Sequence, residues 1–273
     1  MEDIRQTVGW KNHLAHKGWK TVRIKTADGK HSVQVFILRV GWWPLTMLKL
    51  QRSNYDPDFK ELKRIKRKYR VVSTAIEPVR VQNPAAYKKA GYHLTRFPFL
   101  AMSTYIDDLR KSEKELWTGL SENARRLVNK NKKTVIEGTD PETFCREWQK
   151  CAKIWIMPPK EVEELLEGFG GKARLVVSRV GKEYHSGLII IYSKDTANYL
   201  QTWTNEAGRK SGAHYKLVWE ELRRAKKAGL KYFDFEGVYD ERWPQKKWKG
   251  FTEFKRRFGG KLVHYPGSYF KTL

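Results

Sequence analysis

Alternating hydrophobic and polar residues predict strands in the first hundred residues, and helical periodicity predicts helices between them. Residues 19–25 alternate, an Asp28-Gly29 turn signal follows, and residues 32–40 predict the returning strand of a hairpin. Helices are predicted at residues 6–17, 57–68 and 83–90, and a β-rich segment at residues 69–76. This part of the chain is therefore predicted to be mixed α/β.

A similar order of elements follows after residue 100. A strand is predicted at residues 100–106, and Ser112 and Glu115 have the spacing of a capping box that opens a helix to about Asn131. Asp140 and Pro141 open the next helix. A three-stranded meander is predicted at residues 174–179, 185–192 and 197–204. A long helix is predicted at residues 211–227 and a buried strand at residues 232–235. The repeated order predicts two related lobes, residues 1–105 and 106–273.

The charge of the chain indicates what kind of partner it binds. The 273 residues include 55 Lys and Arg against 30 Asp and Glu, a net charge of +25, while 40% are hydrophobic, which excludes a disordered tail. Residues 1–100 hold 21 basic and 7 acidic residues, residues 101–200 hold 17 and 15, and residues 201–273 hold 17 and 8. The surplus lies at the two ends of the chain, within sequence that is predicted to fold, and it indicates a polyanionic partner.

The sequence gives no sign of a disulfide framework, a metal site or a membrane span. Cys145 and Cys151 are six positions apart, so we expect structural thiols in a reducing compartment. His13 and His16 are the only closely spaced histidines, and we predict no metal and no cofactor. The first residues contain no apolar signal segment, and no apolar run is long enough to cross a bilayer, so a soluble cytoplasmic protein is expected.

The C-terminal region contains the most distinctive pattern. The strand at 232–238 reads YFDFEGV, the segment at 250–260 reads GFTEFKRRFGG, and residues 264–269 read HYPGSY. A strand end followed by a glycine turn is where open α/β sheets place ligands. The alternative is a plain strand, loop and helix with a solvated basic face.

These segments resemble the C-terminal signature of the FemA/FemB/FemX family, non-ribosomal peptidyltransferases that move amino acids from aminoacyl-tRNA onto peptidoglycan precursors. The residues around Tyr215 and Gly229 are similar to the family's preceding helix, and weaker similarity extends to Gly9-Trp10 and Glu77-Pro78. The resemblance implies an α/β (α+β) fold of two packed GNAT-like lobes, with mixed sheets flanked by helices and no helical-arm insertion.

The resemblance implies that Phe254 and Lys255 match the family's Phe-Lys motif at the acyl-transfer site. A fixed cation there would stabilise the negative charge that develops on the ester carbonyl oxygen and could also hold the tRNA 3′ end. The alternative is that Lys255 is one of three consecutive basic residues on a solvated helix face.

The acceptor side matches the family less well. Leu14 stands where the family has a binding lysine, so Lys11 or Lys17 would have to substitute, beside Trp19; Pro158 lies where an arginine is expected. Glu77 aligns with a family acidic residue and would orient the acceptor amine, or it is a surface carboxylate. Period-two alternation puts three further candidates on one strand face, either lining the cleft or packing in the core: Tyr199, Gln201 and Trp203.

Cations interleaved with aromatic residues near Lys255 suit a single-stranded CCA end. The candidates for tRNA binding are Lys247, Trp248, Lys249, Arg256 and Arg257. The basic run at residues 60–70 has seven cations, which would hold tRNA phosphates or anionic lipid headgroups, or form a solvated helix face.

Three functions stay open at this point. The first is a FemX-like transfer from aminoacyl-tRNA to a UDP-linked or lipid-linked peptidoglycan precursor, by a monomer in the cytoplasm with peripheral contact to the inner face of the membrane. The second is a GNAT N-acyltransferase using acyl-CoA, although the pyrophosphate loop matches only at Arg209 and Gly212, with His214 at its last position. The third is a non-catalytic RNA-binding protein.

Overall fold

The computed structural model describes residues 1–39, 41, 45–152 and 156–273, and these form two compact units. The first unit comprises Glu2–Ser103, Tyr239–Gln245 and His264–Leu273. The second unit comprises Thr104–Val238 and Lys246–Val263, with Met1. The predicted boundary after residue 105 lies two residues beyond the end of Glu2–Ser103. The predicted C-terminal lobe also contains two segments that the structure places in the first unit.

Six strands of the described chain form one mixed sheet in the first unit. They are β1 (Lys20–Lys25), β2 (Ser32–Arg39), β3 (Thr46–Gln51), β4 (Val71–Glu77), β5 (His93–Leu94) and β13 (Tyr269–Thr272). Their order is β1-β2-β3-β4-β13-β5, and all neighbours are antiparallel except β3 and β4. The helices of this unit are α1 (Val8–His16), α2 (Phe59–Lys68) and α3 (Pro84–Lys89).

The basic helix α2 shows how the sequence builds this unit. The Asp58 carboxylate caps the helix by accepting from the backbone N–H groups of Lys60 and Glu61. Leu62 and Ile65 are buried in the apolar cluster of the unit, whereas most cations of the helix are exposed. The helix is therefore amphipathic, and burial of its apolar stripe holds it on the sheet.

The second unit contains a seven-stranded mixed sheet. Its strands are β6 (Ser103–Asp108), β7 (Val135–Gly138), β8 (Ala173–Val180), β9 (Glu183–Tyr192), β10 (Thr196–Thr204), β11 (Tyr232–Gly237) and β12 (Lys261–His264). Their order is β12-β6-β11-β10-β9-β8-β7. The hairpins at β7–β8, β8–β9 and β9–β10 are antiparallel, and β10 and β11 are parallel.

Helices cover this sheet on both faces. They are α4 (Glu113–Gly119), α5 (Glu122–Lys130), α6 (Pro141–Cys151), α7 (Pro159–Phe169), α8 (Glu206–Ser211), α9 (Ala213–Lys227) and α10 (Lys249–Arg256). Leu188 and Ile190 of β9 are buried in one apolar cluster with Leu217 and Leu222 of α9. The longest helix among the described residues is α9, with 15 residues, so this part of the chain holds no long helical arm.

The predicted fold class, mixed sheets flanked by helices, is confirmed, with one difference in the helices. The helix predicted to run from Ser112 to about Asn131 is two helices, α4 and α5. The capping box at Ser112 and Glu115 is present, but Leu120 is extended, and the Ser121 hydroxyl accepts from the Ala124 N–H to start α5. A side chain that caps a new helix start thus interrupted an otherwise helical pattern.

Strands β3 and β13 of the first unit were not predicted from the pattern, and β13 depends on long-range pairing. The last strand, β13, pairs with β4 about 190 residues earlier in the chain, which returns the C terminus to the first unit. Strand β3 was not predicted either, although Leu48 and Leu50 alternate with more accessible neighbours. The predicted end of the second strand, Val40, lies outside the described residues.

Gly259, in the motif that follows α10, has a structural task that can be tested. It has φ +87°, and a Cβ there would lie 2.3 Å from the carbonyl oxygen of Gly119. Gly229 has a similar φ of +80°, but a Cβ would meet nothing within 4 Å. We expect Gly229→Ala to cost about 1 kcal/mol in the free energy of unfolding and Gly259→Ala at least about 2 kcal/mol more, because a backbone atom must move. Urea unfolding of both variants measures the difference; equal losses would contradict the close approach.

Candidate active site

The two parallel strands at the centre of the second unit separate along their length. Strands β10 and β11 pair at Thr196–Tyr232, Ala197–Phe233 and Asn198–Asp234, and then the pairing ends. Both strands continue, β10 to Thr204 and β11 to Gly237. The carboxyl ends of these strands therefore flank a gap in the sheet, which is the position where α/β sheets hold ligands.

The side chain of Lys255, from α10, lies in this gap and contacts both strands. Its Nζ donates to the carbonyl oxygen of Gly237, at the end of β11, over 2.8 Å. The same atom lies 5.1 Å from the ring centroid of Tyr199, in β10, and 5.1 Å from that of Phe251. Only 6% of Lys255 is exposed, which excludes the solvated helix face as its environment.

An unusual backbone conformation shapes the end of β11. Glu236 has φ +57°, and its N–H donates to the Asp234 carboxylate over 2.7 Å. Thr104 of β6 donates to the same carboxylate oxygen, and the pairing of β11 with β6 shifts register between Asp234 and Gly237. A left-handed conformation at a non-glycine residue persists only where its surroundings fix it. These bonds fix the strand end that accepts from Lys255.

Burial governs the charge of Lys255. Desolvation lowers its pKa from 10.5 to about 8, while the charges of Glu236 and Asp234 act in the opposite direction. A group with a pKa of about 8 is still an ammonium at neutral pH. The gap therefore holds a fixed, poorly hydrated positive charge, and such a charge interacts strongly with any negative charge that develops beside it.

Aromatic side chains pack around Phe254, the neighbour of Lys255 in α10. Phe254 lies 5.1 Å from the ring of His214, 4.7 Å from that of Tyr215 and 5.2 Å from that of Phe258. These contacts anchor α10 against α9, so the structure gives Phe254 a packing role. That Phe254 contacts a substrate remains a prediction.

A buried polar pair lies next to this aromatic cluster. The Tyr199 hydroxyl is 2.7 Å from His214 Nε2, and the Thr202 hydroxyl is 3.1 Å from the same nitrogen. Burial, followed by the charge of Lys255, lowers the pKa of His214 to about 3, so this imidazole is neutral. His214 therefore supports Tyr199 beneath the Lys255 ammonium, a role that its position in a partly matched glycine loop did not indicate.

The prediction that Tyr199, Gln201 and Trp203 share one face is wrong. The pairing of β10 with β9 shifts between Tyr199 and Gln201, which changes the alternation. Tyr199 is in the cluster that packs on α9, whereas Trp203 contacts Phe144 of α6, with ring centroids 6.0 Å apart. Trp203 is buried in the core, and Gln201, which is exposed, pairs with Ile189.

In the first unit, the predicted acceptor residues have unequal surroundings. Leu14 is buried in the core, which explains why a lysine would not suit this position, and Lys11 and Lys17 are exposed. Trp19 is half-buried, with Lys49 Nζ 3.9 Å from its ring centroid. Burial lowers the pKa of Lys49 to about 8, against the opposing charge of Glu77. Sequence reasoning missed Lys49 because β3 was not predicted.

Glu77 is fully buried, so its assignment as a surface carboxylate is wrong. One carboxylate oxygen accepts from the backbone N–H groups of Phe99, over 2.9 Å, and Leu100, over 2.8 Å. The other oxygen lies 3.4 Å from the Gln51 amide nitrogen. Glu77 therefore fixes the loop at residues 99–100, and its action on an acceptor amine remains a prediction.

The cations assigned to tRNA differ in their exposure and in their hydrogen bonds to carboxylates. Lys247 and Lys249 are exposed, and Trp248 lies 5.4 Å from Phe251. By contrast, Glu253 accepts from Arg256 over 2.8 Å and from Arg257 over 3.2 Å, which offsets part of their charge. Nucleic-acid contact at these residues remains a prediction, and the charge of Lys247 is less compensated than those of the two arginines.

The loop before α9, where GNAT enzymes hold a pyrophosphate, is packed against the protein. Gly212 has φ +76°, and a Cβ there would lie 2.7 Å from a methyl group of Leu127 in α5. Asn131 donates to the carbonyl oxygen of Ser211 over 2.9 Å. Side chains from α5 and the residue after it thus cover part of this loop.

A serine, a histidine and an aspartate that are distant in sequence meet in the first unit. The Ser103 hydroxyl is 2.7 Å from His264 Nδ1 and donates to Asp240. Arg242 donates to the same carboxylate from its guanidinium, over 2.7 and 3.0 Å, and from its backbone N–H, over 2.9 Å. In a nucleophilic triad the histidine lies between the other two. Here the fully buried serine bonds directly to the aspartate, so this cluster is a structural hydrogen-bond network.

Neither a metal-binding cluster nor a membrane-spanning helix is found among the described residues. Within residues 1–39, 41, 45–152 and 156–273, no group of three or more His, Cys, Asp or Glu residues is placed to hold a metal ion. None of the helices described there combines the length and apolar character that a membrane span requires. Pro158 precedes α7 and makes no side-chain cap to it.

The buried state of Lys255 has a consequence for stability that depends on pH. Between pH 8 and 10.5 the unfolded chain holds the Lys255 proton and the folded protein does not. The free energy of unfolding should therefore rise with pH in this window, by up to about 1.4 kcal/mol per pH unit, relative to Lys255→Met. Urea unfolding of both proteins at several pH values measures this slope. A difference between the two proteins that does not change with pH would contradict the lowered pKa.

Comparison with known proteins agrees with this geometry. Residues 140–255 match the family model of the acetyltransferase (GNAT) domain. The crystal structure of FemX aligns with a TM-score of 0.83 at 15% identity, covering 99% of this chain and 92% of that chain. L-PGS from Bacillus licheniformis aligns with a TM-score of 0.59 at 14% identity, covering 96% and 90%.

A tandem GNAT protein from the clavulanic acid biosynthesis pathway aligns with a TM-score of 0.57 at 10% identity, covering 88% of this chain and 78% of that chain. No curated protein matches the sequence. The chain therefore has the fold of FemX, and the match of residues 140–255 to the acetyltransferase (GNAT) model supports a transferase.

Proposed function

We propose that the protein transfers an amino acid from aminoacyl-tRNA to the stem-peptide amine of a peptidoglycan precursor. The observation that carries this proposal is the buried ammonium of Lys255 in the gap between β10 and β11. This charge can stabilise the negative charge that develops on the carbonyl oxygen during acyl transfer from an ester.

The reaction needs little more than positioning and this charge. The acceptor amine attacks the ester carbonyl carbon, a C–N bond forms, and negative charge develops on the carbonyl oxygen. The C–O bond to the tRNA ribose then breaks, and the proton lost by the amine goes to the departing ribose oxygen. Lys255 donates one of its ammonium hydrogens to the carbonyl oxygen of Gly237. Two ammonium hydrogens are then left to face the carbonyl oxygen of the ester.

Charge and chemistry favour tRNA as the acyl donor. The net charge of +25 suits a polyanion, Lys249 is the first residue of the helix that carries Lys255, and Lys247 lies just before it. The resemblance to the FemA/FemB/FemX family and the FemX fold support the same donor. We propose the cytoplasmic face of the membrane as the site of action, with a UDP-linked or lipid-linked acceptor and a monomeric enzyme.

Acyl-CoA is the second candidate donor, because residues 140–255 match an acetyltransferase domain. Two observations in the second unit weigh against it. Leu127 packs against Gly212, in the loop where GNAT enzymes hold a pyrophosphate, and the side chain of Lys255 fills the strand gap. Both features favour a donor that places only its ester group in the gap and needs no pyrophosphate site in the loop before α9.

One assay separates the candidate functions. The protein is incubated with charged tRNA or with acetyl-CoA, in each case with UDP-linked or lipid-linked pentapeptide, and the acylated peptide is detected by mass spectrometry. Product from charged tRNA is expected. Product only from acetyl-CoA would replace this proposal with an N-acyltransferase, and tRNA binding without either product would indicate a non-catalytic RNA-binding protein.

The role of Lys255 predicts a large loss on removal of its charge. We expect Lys255→Met to lower kcat for transfer roughly 100- to 1,000-fold, because one stabilising group of the transition state is lost while the side chain still fills the gap. The control is Lys261→Met, an exposed lysine of β12, which should transfer at the wild-type rate. A fully active Lys255→Met variant would remove Lys255 from the mechanism.

The unequal compensation of the cations predicts unequal effects on tRNA binding. Lys247→Ala should lower the slope of log affinity against log salt concentration by about 1, since one phosphate contact is lost. Arg256→Ala should lower it by less, because Glu253 already offsets this charge. Filter binding over a range of salt concentrations measures both slopes. An unchanged slope for Lys247→Ala would place the tRNA elsewhere.

A further inference from the structure

A second cavity lies in the first unit and shares no residue with the strand gap. It has a volume of about 880 Å³, within the range of sites for small organic ligands. One wall is α2, and other walls come from α3, the start of β4 and the C-terminal residues. The transfer mechanism does not use this cavity.

The interior of the cavity is mainly apolar. Its apolar lining comes from α2, β4, α3 and the loop after α3, and includes Phe59, Val71, Val72, Ala86, Ala90 and Tyr92. These side chains come from separate parts of the sequence and together line an open cavity. Covering apolar surface that would otherwise contact water is favourable, so the cavity is suited to a hydrocarbon group.

Cations line the same cavity. Lys60, Lys63 and Arg67 are exposed and lie along one face of α2 at helical spacing. Lys89 of α3 and Lys271 of β13 face the same cavity from other elements. No Asp or Glu side chain is among its described lining residues, so this positive charge is not compensated by a carboxylate in the cavity wall.

Two of the lysines are close enough to affect each other. Burial, followed by the charge of Lys271, lowers the pKa of Lys66. Lys66 Nζ lies 5.7 Å and Lys271 Nζ 5.9 Å from the ring centroid of Tyr92. Like charges held together beside an apolar surface are relieved when an anion binds between them.

The apolar lining and the cations together indicate the class of ligand. Inorganic phosphate would leave the apolar lining unfilled. RNA phosphates would contact the exposed cations, but the polar ribose-phosphate backbone would leave the aliphatic lining at Val71, Val72 and Ala86 uncovered. A phosphate-bearing lipid satisfies both parts, because its headgroup pairs with the cations while a hydrocarbon chain enters the cavity.

We propose that this cavity binds an anionic phospholipid of the membrane surface, with Lys63, Arg67 and Lys89 holding the headgroup and Ala86 and Val72 contacting a hydrocarbon chain. The membrane contact in the proposed function is thereby given a specific site. Lipid binding is measured without tRNA or acceptor, so its failure and the failure of the transfer reaction are distinguishable.

Calorimetry with the full chain tests the two halves of the site separately. Dihexanoyl phosphatidylglycerol, below its aggregation concentration, is compared with glycerol phosphate, which lacks the chains, and with dihexanoyl phosphatidylcholine, which lacks the net negative charge. Only the first should bind with measurable affinity. Diheptanoyl phosphatidylglycerol should bind about fourfold more tightly for each additional buried methylene.

Two matched pairs of variants locate the ligand. Lys89→Glu should weaken binding at least about fivefold, whereas Lys88→Glu, an equal change at an exposed neighbour outside the cavity, should not. Ala86→Trp fills the cavity and should abolish binding, whereas Ala85→Trp places the same bulk outside it and should not. Circular dichroism confirms that each variant is folded.

Three results would overturn the proposal. Equal binding of glycerol phosphate would show a site for the phosphate group only. Wild-type affinity in Ala86→Trp would show that the cavity is not occupied. If tRNA displaces the lipid, and lipid binding is weakened by Lys89→Glu but unchanged by Ala86→Trp, the cations would belong to a nucleic-acid site. Co-sedimentation with phosphatidylcholine vesicles, with and without phosphatidylglycerol, extends the measurement to a membrane.

Discussion

The arrangement of the second unit depends on the burial of one lysine ammonium between two strands that part. Burying a charge is costly unless it is hydrogen-bonded, and Lys255 has a carbonyl partner at Gly237 and two aromatic faces nearby. The cost appears as a pKa lowered to about 8. The charge survives at neutral pH, and poor hydration makes it a stronger partner for a developing oxyanion than an exposed lysine would be.

Several features of the sheet and of α10 serve to hold this charge in place. The left-handed Glu236 and the carboxylate of Asp234 fix the end of β11, and Tyr199, just before the shift of register in β10, packs in the cluster that includes α9. Phe254 anchors α10 through its aromatic neighbours. Such support is what electrostatic catalysis requires, because a charge that must move during the reaction contributes less.

The local parts of this arrangement could be predicted from the sequence, and the long-range parts could not. The Phe254-Lys255 motif, the capping box at Ser112 and the hairpins follow from spacing and from resemblance to a family. The inverted facing of Trp203 depends on one extra residue in a strand, which flips every later side chain and leaves no mark in composition. The burial of Glu77 and the partial burial of Lys49 depend on the pairing of β3 with β4, so their exposure could not be read from their neighbours in sequence.

The most direct test of the central claim is chemical rescue of Lys255→Ala. Removing the side chain leaves a cavity in the strand gap that a small alkylammonium ion can enter. If a positive charge at this point drives transfer, ethylammonium should restore aminoacyl-peptide formation in a saturable manner, while neutral ethanol of similar size should not. A Lys255→Ala variant that transfers at the wild-type rate without any added cation would contradict the account.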